Sequence, residues 1–116
     1  MAKTIFFTAR FPCEVIAVSE VHSTAGTDGS AVTVQVERLQ DTDAPGAGDT
    51  LLVTSFDLKG TANTVVLKTT NDLTSSTQLL TGDRLALLYS GTLTAVAGVQ
   101  VTCHLKPVGR GSYRVI

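Results

Sequence analysis

The chain has 116 residues and a formal net charge of −1 at neutral pH. This length provides one domain, with a core large enough to fold without disulfide bonds. Because nucleic-acid binding and anionic-membrane binding both need a surplus of Lys and Arg, the charge balance argues against either for the whole domain. Only 16% of the residues are charged, against roughly 25% in average globular chains, which favours an oligomer or a docked protein over a monomer. A Thr- and Ser-rich surface that is polar without charge is the alternative explanation.

The two cysteines, Cys13 and Cys103, do not have the spacing of a metal site. Both fall on the apolar phase of predicted strands, so we interpret them as small buried residues of a reducing compartment. A disulfide between the first and last strands is the alternative. The N-terminal apolar run is too short for a signal peptide and is interrupted by Arg10, and no stretch approaches a membrane span.

Short runs in which apolar and polar residues alternate predict an all-β chain. The first strand is expected over residues 3–11, where Phe6 is apolar but out of phase. The second is expected over residues 13–23, and it carries Ile16 and Val18 on the phase opposite to its other apolar residues. A strand with two apolar faces requires a cover on each, and the second cover is either a neighbouring subunit or the chain's own termini.

The middle of the chain continues the pattern. Residues 31–39 are predicted to form a strand with three valines inward and Glu37 outward. Residues 51–58 fit a strand, although the same spacing also fits a short amphipathic helix. The remaining middle segments are expected to be a loop at 40–50, a turn at 60–63, a strand at 64–70 and a polar loop at 71–76.

The stretch 79–105 is predicted to be a hairpin-like unit around which the chain is organised. Its last strand alternates strictly, with Val101 and Cys103 on one face and Thr102 and His104 on the other. About seven to eight short strands predict an antiparallel β-sandwich, jelly-roll-like because the Cys-Trp-Cys arrangement of immunoglobulin domains is missing. We expect one sandwich domain over residues 1–107 and a basic tail over residues 108–116.

Few residues suggest chemistry. His22 with Ser19, Ser23 and Asp28 contains the residue types of a catalytic triad, but the strand phase sends Ser19 and His22 to opposite faces. His104 lies on the polar phase of the last strand and is expected to be an ordinary surface histidine. The loop residues Asp41, Asp43 and Asp49 are possible calcium ligands but lack the order of an EF-hand loop. No catalytic, cofactor or metal site is therefore predicted.

Three stretches carry a resemblance to a known family. They are CEVIAVSEVHSTAGTDGSAVTVQVERL from Cys13, FDLKGTANTV from Phe56 and GDRLALLYSGTLTAVAGVQVTCHLKP from Gly82. Together with the first strand, so that residues 5–107 are covered, they resemble the small decoration, or head cement, proteins of tailed bacteriophages. The resemblance implies a non-enzymatic jelly-roll subunit, made in the bacterial cytoplasm, that trimerises on the outer capsid surface where major capsid subunits meet. It implies no cofactor and no nucleic-acid, membrane or small-molecule partner.

Candidate contact residues follow from the surplus apolar positions and the basic tail. Phe6, Ile16 and Val18 are expected to face neighbouring subunits, and the N-terminal strand or the tail, with Arg110 and Arg114, is expected to face the capsid. The main alternative is a carbohydrate- or cell-surface-binding module that uses the loops 23–30, 40–50 and 71–76, although the chain is poor in aromatic residues for it. A hydrolase that relies on His22 or His104 is the remaining alternative.

Overall fold

The computed structural model describes residues 3–108, and within them the chain is all-β. Nine strands form two antiparallel sheets that pack face to face, which confirms the predicted sandwich with nine strands in place of seven or eight. The strands are Lys3–Thr8 (β1), Cys13–Val21 (β2), Thr33–Leu39 (β3), Asp49–Thr50 (β4), Phe56–Asp57 (β5), Val66–Lys68 (β6), Gln78–Leu79 (β7), Arg84–Ser90 (β8) and Gln100–Pro107 (β9). A 3₁₀ turn covers Thr70–Asp72. No helix in this range is long and apolar enough to cross a membrane.

The order of the strands leaves one edge strand of each sheet on the same flank. In the first sheet β8 lies between β1 and β3, and the two-residue strands β4 and β5 both pair with the far edge of β3. In the second sheet β2 is central, with β9 along one edge and β6 and β7 along the other. Within residues 3–108, β1 pairs only with β8 and β9 pairs only with β2. Both strands therefore present an unpaired edge.

The last two long strands do not form the hairpin-like unit that the sequence predicts. β8 pairs with β1 and β3, whereas β9 belongs to the other sheet and pairs with β2. Leu85 and Leu87 of β8 still pack in the same core as Val101 and Leu105 of β9, because the core lies between the two sheets. Alternation with a period of two predicts which face is buried, but it does not identify the pairing partner.

The centre of the core is formed by Val32, Val34 and Val36, which are fully buried as predicted. The segment 51–58 packs against them but is a strand only at Phe56–Asp57. The Gln35 side chain replaces the missing strand pairing, because its Oε1 accepts the N–H of Leu52 at 2.9 Å and its Nε2 donates to the Leu52 carbonyl at 3.1 Å. An apolar segment is thus buried with its backbone hydrogen-bonded by a side chain.

The long loop 40–48 is held from inside the fold, by a residue predicted to point outward. Glu37 is only 1% exposed, and its carboxylate accepts the N–H groups of Gly46 at 2.8 Å and Gly48 at 2.6 Å. The Arg84 guanidinium donates to the carbonyls of Asp41 at 2.9 Å and Asp43 at 3.2 Å. The loop therefore has a fixed conformation, set by two charged side chains that bind its backbone.

Both cysteines are free thiols, and the interpretation as buried residues holds for Cys13, whereas Cys103 is half-buried. The register places Cys13 opposite Pro107 and Cys103 opposite Val18, so the two lie at different places along the strand pair. Burial raises the pKa of the Cys103 thiol to about 12. Burial, together with the charge of Asp83, also raises the pKa of the Cys13 thiol. Both thiols are therefore protonated at neutral pH and act as small apolar residues.

Candidate assembly surface

Two β-bulges place apolar side chains on the outside of the sandwich. In β1 the register shifts between Ile5 and Phe7, so that Phe6 is an extra residue, 39% exposed. In β2 the register shifts between Val15 and Ala17, and Ile16 is the extra residue, 40% exposed. Both residues are available for contact with a partner, and their role as contacts stays a prediction.

The bulge at Ile16 also explains why the prediction of Val18 as a contact residue is wrong. Before the bulge the odd-numbered residues of β2 point inward, as the burial of Val15 shows, and after it the even-numbered residues do. Val18 is therefore in the core with 0% exposure, and no part of its side chain reaches a partner. The same reversal moves Glu20 to the interior face.

Further exposed apolar side chains cluster at the edges of the sandwich. Ile5 and Phe11 lie beside Phe6 along the chain, on the flank formed by β1. Val65, Val66 and Leu67 form a second group at β6, where three consecutive apolar residues are exposed. Monomeric proteins seldom expose large contiguous apolar patches, so these two groups are candidate contact surfaces.

A groove of about 260 Å³ runs between the ends of the two edge strands β1 and β9. Its apolar lining includes Phe7 and Phe11 on one side and Leu105 and Pro107 on the other. Two cationic side chains, Arg10 and Lys106, also line it, and no acidic side chain between residues 3 and 108 does. The Lys106 ammonium has a long contact to the Glu14 carboxylate at 3.8 Å, whereas Arg10 forms no hydrogen bond or ion pair within residues 3–108.

The interior contains a hydrogen-bonded acid–imidazole pair that the sequence pattern does not predict. Glu20 and His22 are each 1% exposed. His22 Nε2 donates to the carbonyl of Gly60 at 2.9 Å, and His22 Nδ1 lies 2.8 Å from Glu20 Oε2. Since a neutral imidazole has a single N–H, the second of these bonds requires an additional proton, either on the ring or on the carboxyl group.

The surroundings of this pair determine its charge. Burial alone lowers the pKa of His22, but the hydrogen bonds to Gly60 and Glu20 and the charges of Glu20 and Asp57 outweigh it, so the pKa of His22 is raised. Burial and the same Glu20 charge raise the pKa of Tyr89. Among the residues that the structure describes, none forms a hydrogen bond with Glu20 Oε1. The pair holds the turn at Gly60 against β2, and it is closed to substrate because both side chains are buried.

The triad candidates do not assemble. Ser23 Oγ donates to the carbonyl of Ala97 at 3.0 Å, and Asp28 accepts the N–H of Thr92 at 3.2 Å, an arrangement that lowers the pKa of Asp28. His104 is exposed on β9, as predicted. Ser19 and His22 do fall on opposite faces of the chain, as the phase predicts.

The loop candidates do not converge either. Among residues 3–108 no group of three or more His, Cys, Asp or Glu side chains is placed to hold a metal ion, and this includes Asp41, Asp43 and Asp49. The loops 23–30 and 40–50 precede and follow β3, so they lie at opposite ends of the sandwich. A glycan site that uses both loops is therefore not formed within one chain. The predicted contact residues Arg110 and Arg114 lie outside the described residues.

Comparison with known proteins finds no matching family model, no matching curated protein and no matching solved structure.

Proposed function

We propose that the chain is a non-enzymatic virion structural protein, a decoration or cement protein that binds the outer surface of a bacteriophage head as a homotrimer. In this role it contacts the major capsid protein and stabilises the junctions between capsomers. The proposal rests on the family resemblance and on one structural observation. That observation is the exposure of Phe6 and Ile16, which two bulges turn away from a core that is otherwise well packed.

The positions of these residues suit a ring of subunits. Phe6 belongs to the first sheet and Ile16 to the second, so they form two different apolar patches. The interface of a three-fold ring is heterologous, which means that one patch of each subunit meets a different patch of the next. Two separate apolar patches on opposite sheets meet this requirement. Trimers attached at many sites on one shell then gain avidity that a single contact lacks.

The fixed loops also support a structural role. Glu37 and Arg84 bind the backbone of loop 40–48, and Asp28 joins the loop 23–30 to the segment after β8. A rigid surface loses little conformational entropy when it is covered by a partner. Repeated contacts along a capsid lattice are favoured by this rigidity.

The decisive test is whether the chain belongs to a particle. Phage heads purified from lysates of the host that carries the gene are analysed by quantitative mass spectrometry, and the ratio of this chain to the major capsid protein is measured. The proposal expects a fixed ratio of a structural component and a head that resists heat less well when the gene is deleted. Heads without the chain, or with a trace that washes off, overturn the proposal.

The oligomeric state is tested separately in solution. Sedimentation equilibrium of the purified chain at micromolar concentration is expected to give the trimer mass, and the double variant Phe6→Ser, Ile16→Ser is expected to give the monomer mass. Leu80→Ser is the matched control, since Leu80 is exposed on a turn and is not part of either patch. A wild-type chain that remains monomeric, or a control that dissociates as readily as the double variant, removes the trimer from the proposal.

A further inference from the structure

The groove between β1 and β9 combines features that define what can bind in it. Phe7, Phe11, Leu105 and Pro107 give it an apolar lining, and its volume of about 260 Å³ is sufficient for one or two bulky side chains. Arg10 and Lys106 bring two positive charges to it, of which Lys106 lies 3.8 Å from Glu14, and no acidic side chain of the described residues lines it. A ligand without negative charge therefore gains binding energy only from the apolar lining, because Arg10 and Lys106 receive no partner from it.

The chain's own tail is a poor occupant. It continues from Val108, whose N–H donates to the carbonyl of Pro12 close to the groove, so it begins within reach. Residues 109–116 contain Arg110 and Arg114 and no acidic residue. Since like charges repel, Arg10 and Lys106 disfavour this basic segment in the groove. The charge of the groove therefore selects a segment of the opposite sign.

We propose that this groove is the docking site for an extended acidic segment of a protein partner, with a bulky apolar side chain next to one or two carboxylates. The apolar side chain packs against Phe7 and Leu105, and the carboxylates pair with Arg10 and Lys106. The inference deepens the proposed function and rests on it, since it states the chemistry of the capsid surface that the subunit recognises. When the segment binds, the Lys106 ammonium exchanges its long contact with Glu14 for an ion pair with a carboxylate of the bound segment.

The probe for this site is a library of short random peptides, selected for binding to the folded full-length chain. The enriched peptides are expected to contain Leu, Ile or Phe adjacent to Asp or Glu. Charge reversal in the double variant Arg10→Glu, Lys106→Glu is expected to weaken the best peptide about tenfold, because each pairing at the rim of an interface contributes modestly. Binding is also expected to weaken as the salt concentration rises.

The controls separate the groove from the rest of the surface. Lys59→Glu reverses a charge at the other end of the sandwich, where Lys59 Nζ donates to Ser30, and it is expected to leave binding unchanged. Leu105→Ala is expected to weaken binding of the same peptide while the thermal unfolding midpoint shows that the variant is folded. No enrichment over empty beads, enrichment of basic peptides, or equal binding by the double variant and the Lys59 control overturns the inference.

Failure of the groove and failure of the proposed function give different results. If the chain is a structural part of the head but the double variant is incorporated as well as wild type, the proposed function holds and the groove is not the contact. If the chain is missing from heads but selects acidic apolar peptides through Arg10 and Lys106, the groove binds such segments on another partner and the decoration function is wrong.

Discussion

The buried pair Glu20–His22 allows a sharp test of the fold, through the variants His22→Ala and Glu20→Gln. Removal of the ring leaves a buried carboxylate with neither oxygen paired within residues 3–108, since Oε2 loses its 2.8 Å bond and Oε1 has no partner there. Loss of one member of a buried charged pair costs about 3–5 kcal/mol, a large part of the roughly 5–15 kcal/mol that stabilises a domain. We expect His22→Ala to be marginally folded at room temperature.

Glu20→Gln is expected to behave differently, although it changes the same contact. Its amide N–H donates to Nδ1 of the neutral ring, and Nε2–H continues to donate to Gly60. All the existing hydrogen bonds are then made without an additional proton, so we expect a loss below about 1.5 kcal/mol. Urea unfolding followed by circular dichroism measures both variants. A loss for His22→Ala that is no larger than the loss for Glu20→Gln would refute the reasoning.

The same pair predicts the pH dependence of stability. Because the pKa of His22 is raised in the folded state, its contribution is fully present below the unfolded-state value of about 6.5. It is lost as the pH rises through the folded-state pKa, and it amounts to about 1.4 kcal/mol for each unit by which the two values differ. The free energy of unfolding, measured from pH 5.5 to about 9, is expected to fall in wild type, and this fall is expected to disappear in Glu20→Gln because the Glu20 charge that raises the pKa of His22 is removed. A stability that rises over this range in wild type contradicts the assignment.

Other substitutions test the loop, the close approach of the backbone and the strand phase. Glu37→Ala removes both carboxylate hydrogen bonds to the loop 40–48, so the free energy of unfolding measured in urea is expected to fall by about 2–3 kcal/mol. Amide exchange at Gly48 is expected to become faster, and unchanged exchange would contradict the role of Glu37. Gly48→Ala is expected to cost about 1–3 kcal/mol, since its Cβ would clash with the backbone carbonyl of Arg38. A stabilised variant would exclude this close approach. Val101→Asp is expected to cost about 2–4 kcal/mol because Val101 packs on the core, whereas Thr102→Asp on the exposed face is tolerated; equal losses would mean that the phase of β9 is wrong.

The features that the sequence predicts well are those set by a local period. The three inward valines of β3 and the alternation of β9 follow directly from the spacing of apolar residues, and so does the sandwich class. The pairing of β8 and β9 is not predicted, because adjacency along the chain does not determine which sheet a strand enters. An apolar pattern predicts which face of a strand is buried, but it does not predict which strand pairs with it.

The errors within strands have a common physical origin. A β-bulge adds one residue, which reverses the inward phase of every later residue in that strand. Ile16 is such a residue, so Val18 is in the core and Glu20 and His22 are buried with it. The apolar phase changes between Val15 and Val18, and this change is the sign of the bulge in the sequence. The same change also fits a strand with two apolar faces, which is the interpretation that proved wrong.

The strand pattern does not predict the inward position of Glu37, for a related reason. Carboxylates are buried only when they are paired, and here the partners are backbone N–H groups of a loop nine and eleven residues away. Backbone donors leave no mark in the sequence, apart from the glycines that bring the backbone close. The charged residues of the groove, Arg10 and Lys106, come together only because β1 and β9 lie on one flank.

The hydrogen bonds that hold loop 40–48 do not involve the side chains at its tip. Glu37 grips main-chain amides, so the side chains of Ala44 and Ala47, which point into solvent, contribute nothing to the grip. These two positions are suited to carry a fluorophore, an affinity handle or an antigenic determinant at a defined orientation. Display of foreign groups at the tip would leave the sandwich, and the contact surfaces proposed for it, unchanged.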